Sequence, residues 1–206
     1  MTDQTLVLRA ALAPTFRATP LGPVFAGTGL AVAVTFVAMV RTTGSLTGAF
    51  AAAGLFSAAG VGYVLDDAAA VTLASSPTTL AARRVLRVVL AVTIVTVGWF
   101  VIALGVLALR DRDAFPLRDL GLELATLGAV GLATGAVALR RDARQGGPAA
   151  ATAVLLLPLV VSGLRVRGLQ WLPLLVPRTE HHARWAWFLA VAVVLYATAS
   201  RDAAAR

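Results

Sequence analysis

The sequence predicts an all-α, polytopic membrane protein, and three observations predict it. The 206-residue chain is 59% hydrophobic with a mean hydropathy of +0.84, whereas soluble domains sit at roughly 45–50% apolar. Its apolar residues gather into six runs, several free of charge over 16 or more residues. Crossing ~30 Å of hydrocarbon at 1.5 Å per residue takes about 20 residues of helix, and most of the runs approach that length. Together they imply a single membrane domain over 1–206, with six transmembrane helices.

Residues 1–20 open the chain. MTDQTLVLRAALAPTFRATP lacks a basic start running into an apolar block and a small-residue cleavage site, so it does not read as a signal peptide. Leu6, Leu8, Ala11 and Leu12 can share one face, with Arg9 and Arg17 reaching headgroups, which predicts an interfacial helix. The spans follow at about 21–40, 46–65, 88–109, 120–139, 149–164 and 185–200. The third, VVLAVTIVTVGWFVIALGVLAL, is dense in strong apolar residues at ~0.3–0.6 kcal/mol of insertion energy each. The second, LTGAFAAAGLFSAAGVGYVL, is rich in Gly, Ala and Ser, so it gains little from lipid and is expected to pack closely on neighbouring helices. The fourth carries Gly128, Gly131 and Gly135, the last two forming a GxxxG spacing that suits helix packing.

Two polar inserts break the pattern. Residues 65–87, LDDAAAVTLASSPTTLAARRVLR, separate the second and third spans. Asp66 and Asp67 stand where a short helix would begin, where acids satisfy free N–H groups and suit the positive helix end. Ser75 or Ser76 offers a cap, and Pro77 fits the first position of a following helix. Arg83, Arg84 and Arg87 then share a broad face at the membrane boundary. The insert thus reads as a short helix, a corner and an amphipathic ramp. Residues 165–184, RVRGLQWLPLLVPRTEHHAR, hold an eight-residue apolar run, Leu169 to Val176, broken by Pro173 and Pro177. That run is too short to cross and predicts a re-entrant or interfacial segment before the last span.

All 18 basic residues are arginine, giving a net charge of +8 with 10 acids. With so much Ala, Val and Gly, this composition points to a GC-rich coding bias such as an actinobacterium has. No soluble basic domain is present, so nucleic acid is not an expected partner. With the N-terminus inside, inner segments hold ten arginines and outer segments eight, and the clusters 83–87 and 140–144 fall inside. Both termini are therefore expected to be cytoplasmic, in a bacterial inner membrane.

Chemistry-bearing candidates are few. The chain has no cysteine, which excludes disulfides, thiolate metal sites and Cys nucleophiles. Glu123 is the one acid inside a proposed span, about one turn from its outer end, where it either lines a pathway or pairs with Arg118. His181 and His182 are adjacent and lack a second His or Cys pair; with Glu180 they read as a polar corner rather than a metal site. Trp185 and Trp187 suit interfacial anchoring. Asp66 and Asp67 alone do not make a metal-dependent lipid transferase, which needs further Asp residues downstream; 88–110 has none. No enzymatic activity, metal or cofactor is expected on this chain.

An amphipathic N-terminal helix, six spans, the 65–87 insert and the broken 165–184 segment together resemble an ATP-binding-cassette (ABC) exporter permease of the type-2 class, in a small actinobacterial form. The resemblance implies that 66–76 is a coupling helix seated on a cytoplasmic ABC ATPase. Asp66, Asp67, Ser76, Pro77, Arg83, Arg84 and Arg87 would then be the coupling residues, the arginines contacting headgroups or acids of the ATPase. No GxxxxGK[ST] motif occurs, so ATP and Mg would be held by the partner subunit. One six-span subunit cannot enclose a two-sided pathway, so a second permease protomer is implied, as a homo- or heterodimer. The substrate expected is hydrophobic or amphipathic. A non-transporting scaffold or accessory subunit of a larger membrane complex is the alternative. A secondary carrier is disfavoured because ionisable residues are missing from mid-span positions.

Overall fold

In the computed structural model of the chain, the described residues are 19–42, 45–66, 80–109, 117–141, 146–163 and 182–200. The interfacial segment 1–18, the insert residues 67–79 and the broken segment 164–181 lie outside them. Six α-helices follow one another among the described residues, with no strand: α1 Leu21–Arg41, α2 Thr47–Gly62, α3 Leu80–Leu109, α4 Leu117–Arg141, α5 Gly146–Gly163 and α6 His182–Ser200. A short 3₁₀ turn, Tyr63–Leu65, continues α2.

Local chemistry sets the ends. Pro20 and Pro23 bracket the start of α1, where a missing N–H costs nothing. Arg41 closes that helix against the negative dipole end, and both the Thr42 N–H and its hydroxyl bond the Ala38 carbonyl at 2.9 Å. Ser45 Oγ accepts the Thr47 N–H at 3.2 Å and supplies the polar start of α2. The third helix runs 30 residues, roughly 45 Å at 1.5 Å per residue. It starts before the apolar stretch at 88, so the arginines 83–87 lie on its first turns and the amphipathic ramp is continuous with the span.

Among the described residues, four helical stretches are long and apolar enough to cross a bilayer: Leu21–Arg41, Thr47–Leu65, Arg83–Leu109 and Leu120–Arg140. The apolar stretches Gly147–Leu156 and Trp185–Ala199 are shorter, within helices of 18 and 19 residues.

The hub is α2. Two thirds (67%) of its apolar window is buried, against 22% for α3. α1, α4 and α5 pack around it; α3 lies on α1 and the 3₁₀ turn, while α6 lies on α4. Lipid tails are as apolar as Leu, so burying Val or Leu in a membrane gains little by itself; close backbone approach and polar contacts hold helices together. The hub sequence is built for that. A Cβ on Gly60 would sit 2.7 Å from the Pro23 carbonyl oxygen and 3.0 Å from Val24 Cα, so α1 and α2 touch backbone to backbone. A Cβ on Gly131 of α4 would sit 3.1 Å from Val154 Cγ2 of α5 and 3.2 Å from the Ala58 carbonyl oxygen, a tight fit. A polar strut also joins α3 to α2, the Trp99 indole N–H donating to Ser57 Oγ at 3.3 Å. Valines of α1, α2, the 3₁₀ turn and α3 pack together towards one end (Val24, Val61, Val64, Val95), and larger side chains pack towards the other (Met39, Phe50, Ile102).

Candidate functional site: the Asp66 junction

The chain leaves α2 through Tyr63–Leu65 and turns extended at Asp66. The Asp66 N–H bonds back to the Tyr63 carbonyl at 3.1 Å. Its carboxylate Oδ1 accepts the Gly147 N–H at 2.7 Å, across 81 residues of sequence. Gly147 is the second residue of α5, and its N–H is one of those a helix start leaves without an internal partner. Asp66 thus caps the start of α5 and meets its positive end. An acid there contributes about 0.3–1 kcal/mol through the dipole. Burial raises the Asp66 pKa above the ordinary 3.8, and the Gly147 hydrogen bond pulls it partly back. Gly147 has no alternative: a Cβ there would run into the Asp66 carboxylate and the Tyr63 ring.

The third helix closes the junction. Arg87, 1% exposed, donates from Nη1 to the Asp66 carbonyl oxygen at 3.3 Å. Arg83, one turn earlier, is also buried, whereas Arg84 is half-buried. The three arginines therefore do not form one headgroup-facing surface. Arg83 and Arg87 turn into the bundle, and the charge of Arg84 reaches the Tyr196 phenol of α6. The structure brings Asp66, Arg83, Arg84 and Arg87 to one end of the bundle. Asp67, Ser76 and Pro77 lie outside the described residues, so the expected 66–76 helix is described only at Asp66.

Arg140, in the last turn of α4, reaches the end of α6: Nε donates to the Ala199 carbonyl at 2.9 Å and Nη2 to that of Thr198. Sequence reasoning saw Arg140 only as loop charge. It did not reach Gly147, Tyr63 or Tyr196; the Gly-Gly-Pro at 146–148 was the available signal for a crowded helix start.

At the opposite end, Glu123 lies in the second turn of α4, and its Oε1 is buried without a hydrogen-bond partner among the described residues. The Arg118 side chain, Glu180 and His181 lie outside the described residues, and His182 is the first residue of α6. The Thr126 hydroxyl lies 2.8 Å from the Leu122 carbonyl and 3.3 Å from that of Trp185, one proton serving two acceptors that join α4 to α6. Trp187, 73% exposed, stands at the same end. Of the three glycines expected to pack, Gly131 is in contact and Gly135 is buried. A Cβ built on Gly128 would have no neighbour within 4 Å among the described residues.

No protein-family model, curated protein or solved structure matches this chain.

Proposed function

We propose that this chain is the membrane-spanning permease subunit of an ATP-driven exporter, with six crossings and both termini in the cytoplasm. A separate ABC ATPase would hold ATP and Mg, and a second permease protomer would complete the pathway for a hydrophobic or amphipathic substrate. The observation that carries this reading is the double fastening of the insert's base. Asp66 is held to α5 by Gly147 and to α3 by Arg87. A push on residues 67–79 then meets a braced point and is passed to α2, α3 and α5 together, as a coupling element requires. A loop without such bracing would absorb the push as slack.

The experiment is co-purification of the tagged chain with an ATPase subunit encoded beside it, combined with replacement of residues 67–76 by a Gly/Ser stretch of equal length. The expected result is that the pair co-purifies, that ATP hydrolysis is stimulated by the permease, and that replacement abolishes stimulation while the protein stays monodisperse. Stimulation that survives replacement ends the coupling reading. Association with a larger permease, and none with an ATPase, favours the accessory-subunit alternative instead.

A further inference from the structure

We propose a binding site for the phosphate of an anionic phospholipid at the seam between α3 and the α4–α6 pair, formed by Arg84, Arg140 and Tyr196. This site does not depend on the exporter reading; it requires only that the helices sit in a bilayer. The three helices converge at one level, where Val88, Leu139 and Tyr196 close around Leu65, Ala136 and Ala199. Arg84 precedes Val88 by four residues, so it stands one turn nearer the helix start on the same face. Arg140 follows Leu139 and is held in place by its two bonds to the final carbonyls of α6. A guanidinium has five N–H donors, so those two bonds leave Arg140, an exposed side chain, with donors to spare. The Arg84 charge acts on the Tyr196 hydroxyl from across the seam. Arg140 on the end of α6, and Arg84 within electrostatic reach of Tyr196, thus stand at one end of the bundle beside an apolar floor. The carboxylate described at this end, Asp66, is engaged with Gly147 on the α5 side.

What surrounds the mouth favours a lipid over a free anion. Deeper along α3, Val85, Val89 and Val92 are 62%, 53% and 50% exposed. On the α6 side, Val191, Val194 and Leu195 are likewise exposed. A phosphate held at Arg84 and Arg140 therefore sits where two aliphatic rails begin, with its acyl chains continuing along them. Basic pockets between helices at a membrane surface recognise anionic headgroups in this way, and charge-assisted bonds from guanidinium to phosphate oxygens are the strong ones.

Native mass spectrometry of the detergent-solubilised full chain tests this, with dioleoyl phosphatidylglycerol, dioleoyl phosphatidylcholine and inorganic phosphate titrated separately. Each arginine near an anionic surface strengthens binding about fivefold, so Arg84→Gln with Arg140→Gln should weaken phosphatidylglycerol binding roughly 30-fold. Phosphatidylcholine binding should be unchanged. Arg84→Gln alone, which spares the Arg140 cap on α6, should cost about fivefold and keeps the test readable if the double variant unfolds. Arg41→Gln, at the other end of the bundle, should leave the preference intact. Equal loss in Arg41→Gln shows general charge rather than a site and overturns the proposal. Inorganic phosphate displacing phosphatidylglycerol at matched concentration overturns the lipid assignment. An unchanged preference in the Arg84 and double variants overturns the whole inference.

Discussion

At the residue scale, Gly147 and Asp66 bear the most. A methyl group at Gly147 meets the Asp66 carboxylate and the Tyr63 ring, and such overpacking costs about 1–3 kcal/mol. Gly147→Ala is therefore expected to lower the thermal midpoint in detergent, followed by tryptophan fluorescence. Gly128→Ala has open space and should raise it slightly, since Ala in a helix is favoured over Gly by about 0.5–1 kcal/mol. The Asp66 carboxyl gives a pH test. Its folded pKa is raised, so the folded state prefers the protonated acid. That contribution is fully present below the unfolded value near 3.8 and is lost as pH rises through the folded value. Asn at 66 keeps the oxygen that receives the Gly147 N–H but does not titrate. The stability of the natural protein relative to Asp66→Asn should thus fall as pH climbs from about 4, then level off; a rise over that window contradicts the burial argument. The acid's preference for a helix start was legible in the sequence. Its bond to the start of α5 was not, because residue 147 is brought to it by packing that no local pattern encodes.

At the scale of elements, the division of labour between α2 and α3 was legible because it is compositional. Gly, Ala and Ser dominate the helix that becomes the hub, and Val and Leu dominate the helix that stays largely exposed. The start of α3 near 80 was legible too: Leu80 to Val88 holds good helix formers and no breaker, so the helix runs through the arginines into the apolar stretch. Individual contacts were not legible. Gly128, Gly131 and Gly135 look alike on paper, but only the azimuth of α4 against α2 decides which of them meets a neighbour. The α1–α2 crossing offers the sharpest test. Gly60 faces the Pro23 carbonyl and Val24 Cα, backbone atoms that cannot swing aside, so Gly60→Ala should force the helices apart and lower the thermal midpoint. Gly29→Ala on α1, with nothing within 4 Å, should not. Equal effects at the two positions would mean that the helices do not cross where Gly60 sits. Glu123 belongs to this scale as well, because α4 carries an acidic oxygen into a position without a donor among the described residues. Glu123→Gln removes a charge that burial disfavours and should leave stability equal or higher. A loss beyond ~1 kcal/mol would instead reveal a charged partner, since hydrogen bonds to charged groups are worth about 1.5–3 kcal/mol.

For the whole molecule, the open question is which side of the membrane each end of the bundle faces, and the answer governs both proposals. The helices alternate so that the starts of α1, α3 and α5 and the ends of α2, α4 and α6 share one end, through the contacts of Gly60 with Pro23, Asp66 with Gly147 and Arg140 with Ala199. That end collects Arg83, Arg84, Arg87 and Arg140, and basic residues favour the cytoplasmic side. Along the chain the arginines divide ten to eight, whereas in space these four cluster at this end. The absence of cysteine makes the test clean, because any introduced thiol is the only one. Single variants Thr2→Cys, Ser75→Cys, Gln145→Cys and Ala204→Cys should resist a membrane-impermeant maleimide added to intact cells and react after lysis. Thr43→Cys, Asp113→Cys and Thr179→Cys should react in intact cells. Labelling of Ser75→Cys from outside would place the braced insert beyond the reach of any cytoplasmic ATPase and put the Arg84–Arg140 seam in the outer leaflet. The exporter reading would then fall, while the anionic-lipid site would survive as an outer-leaflet site, so one experiment separates the two proposals.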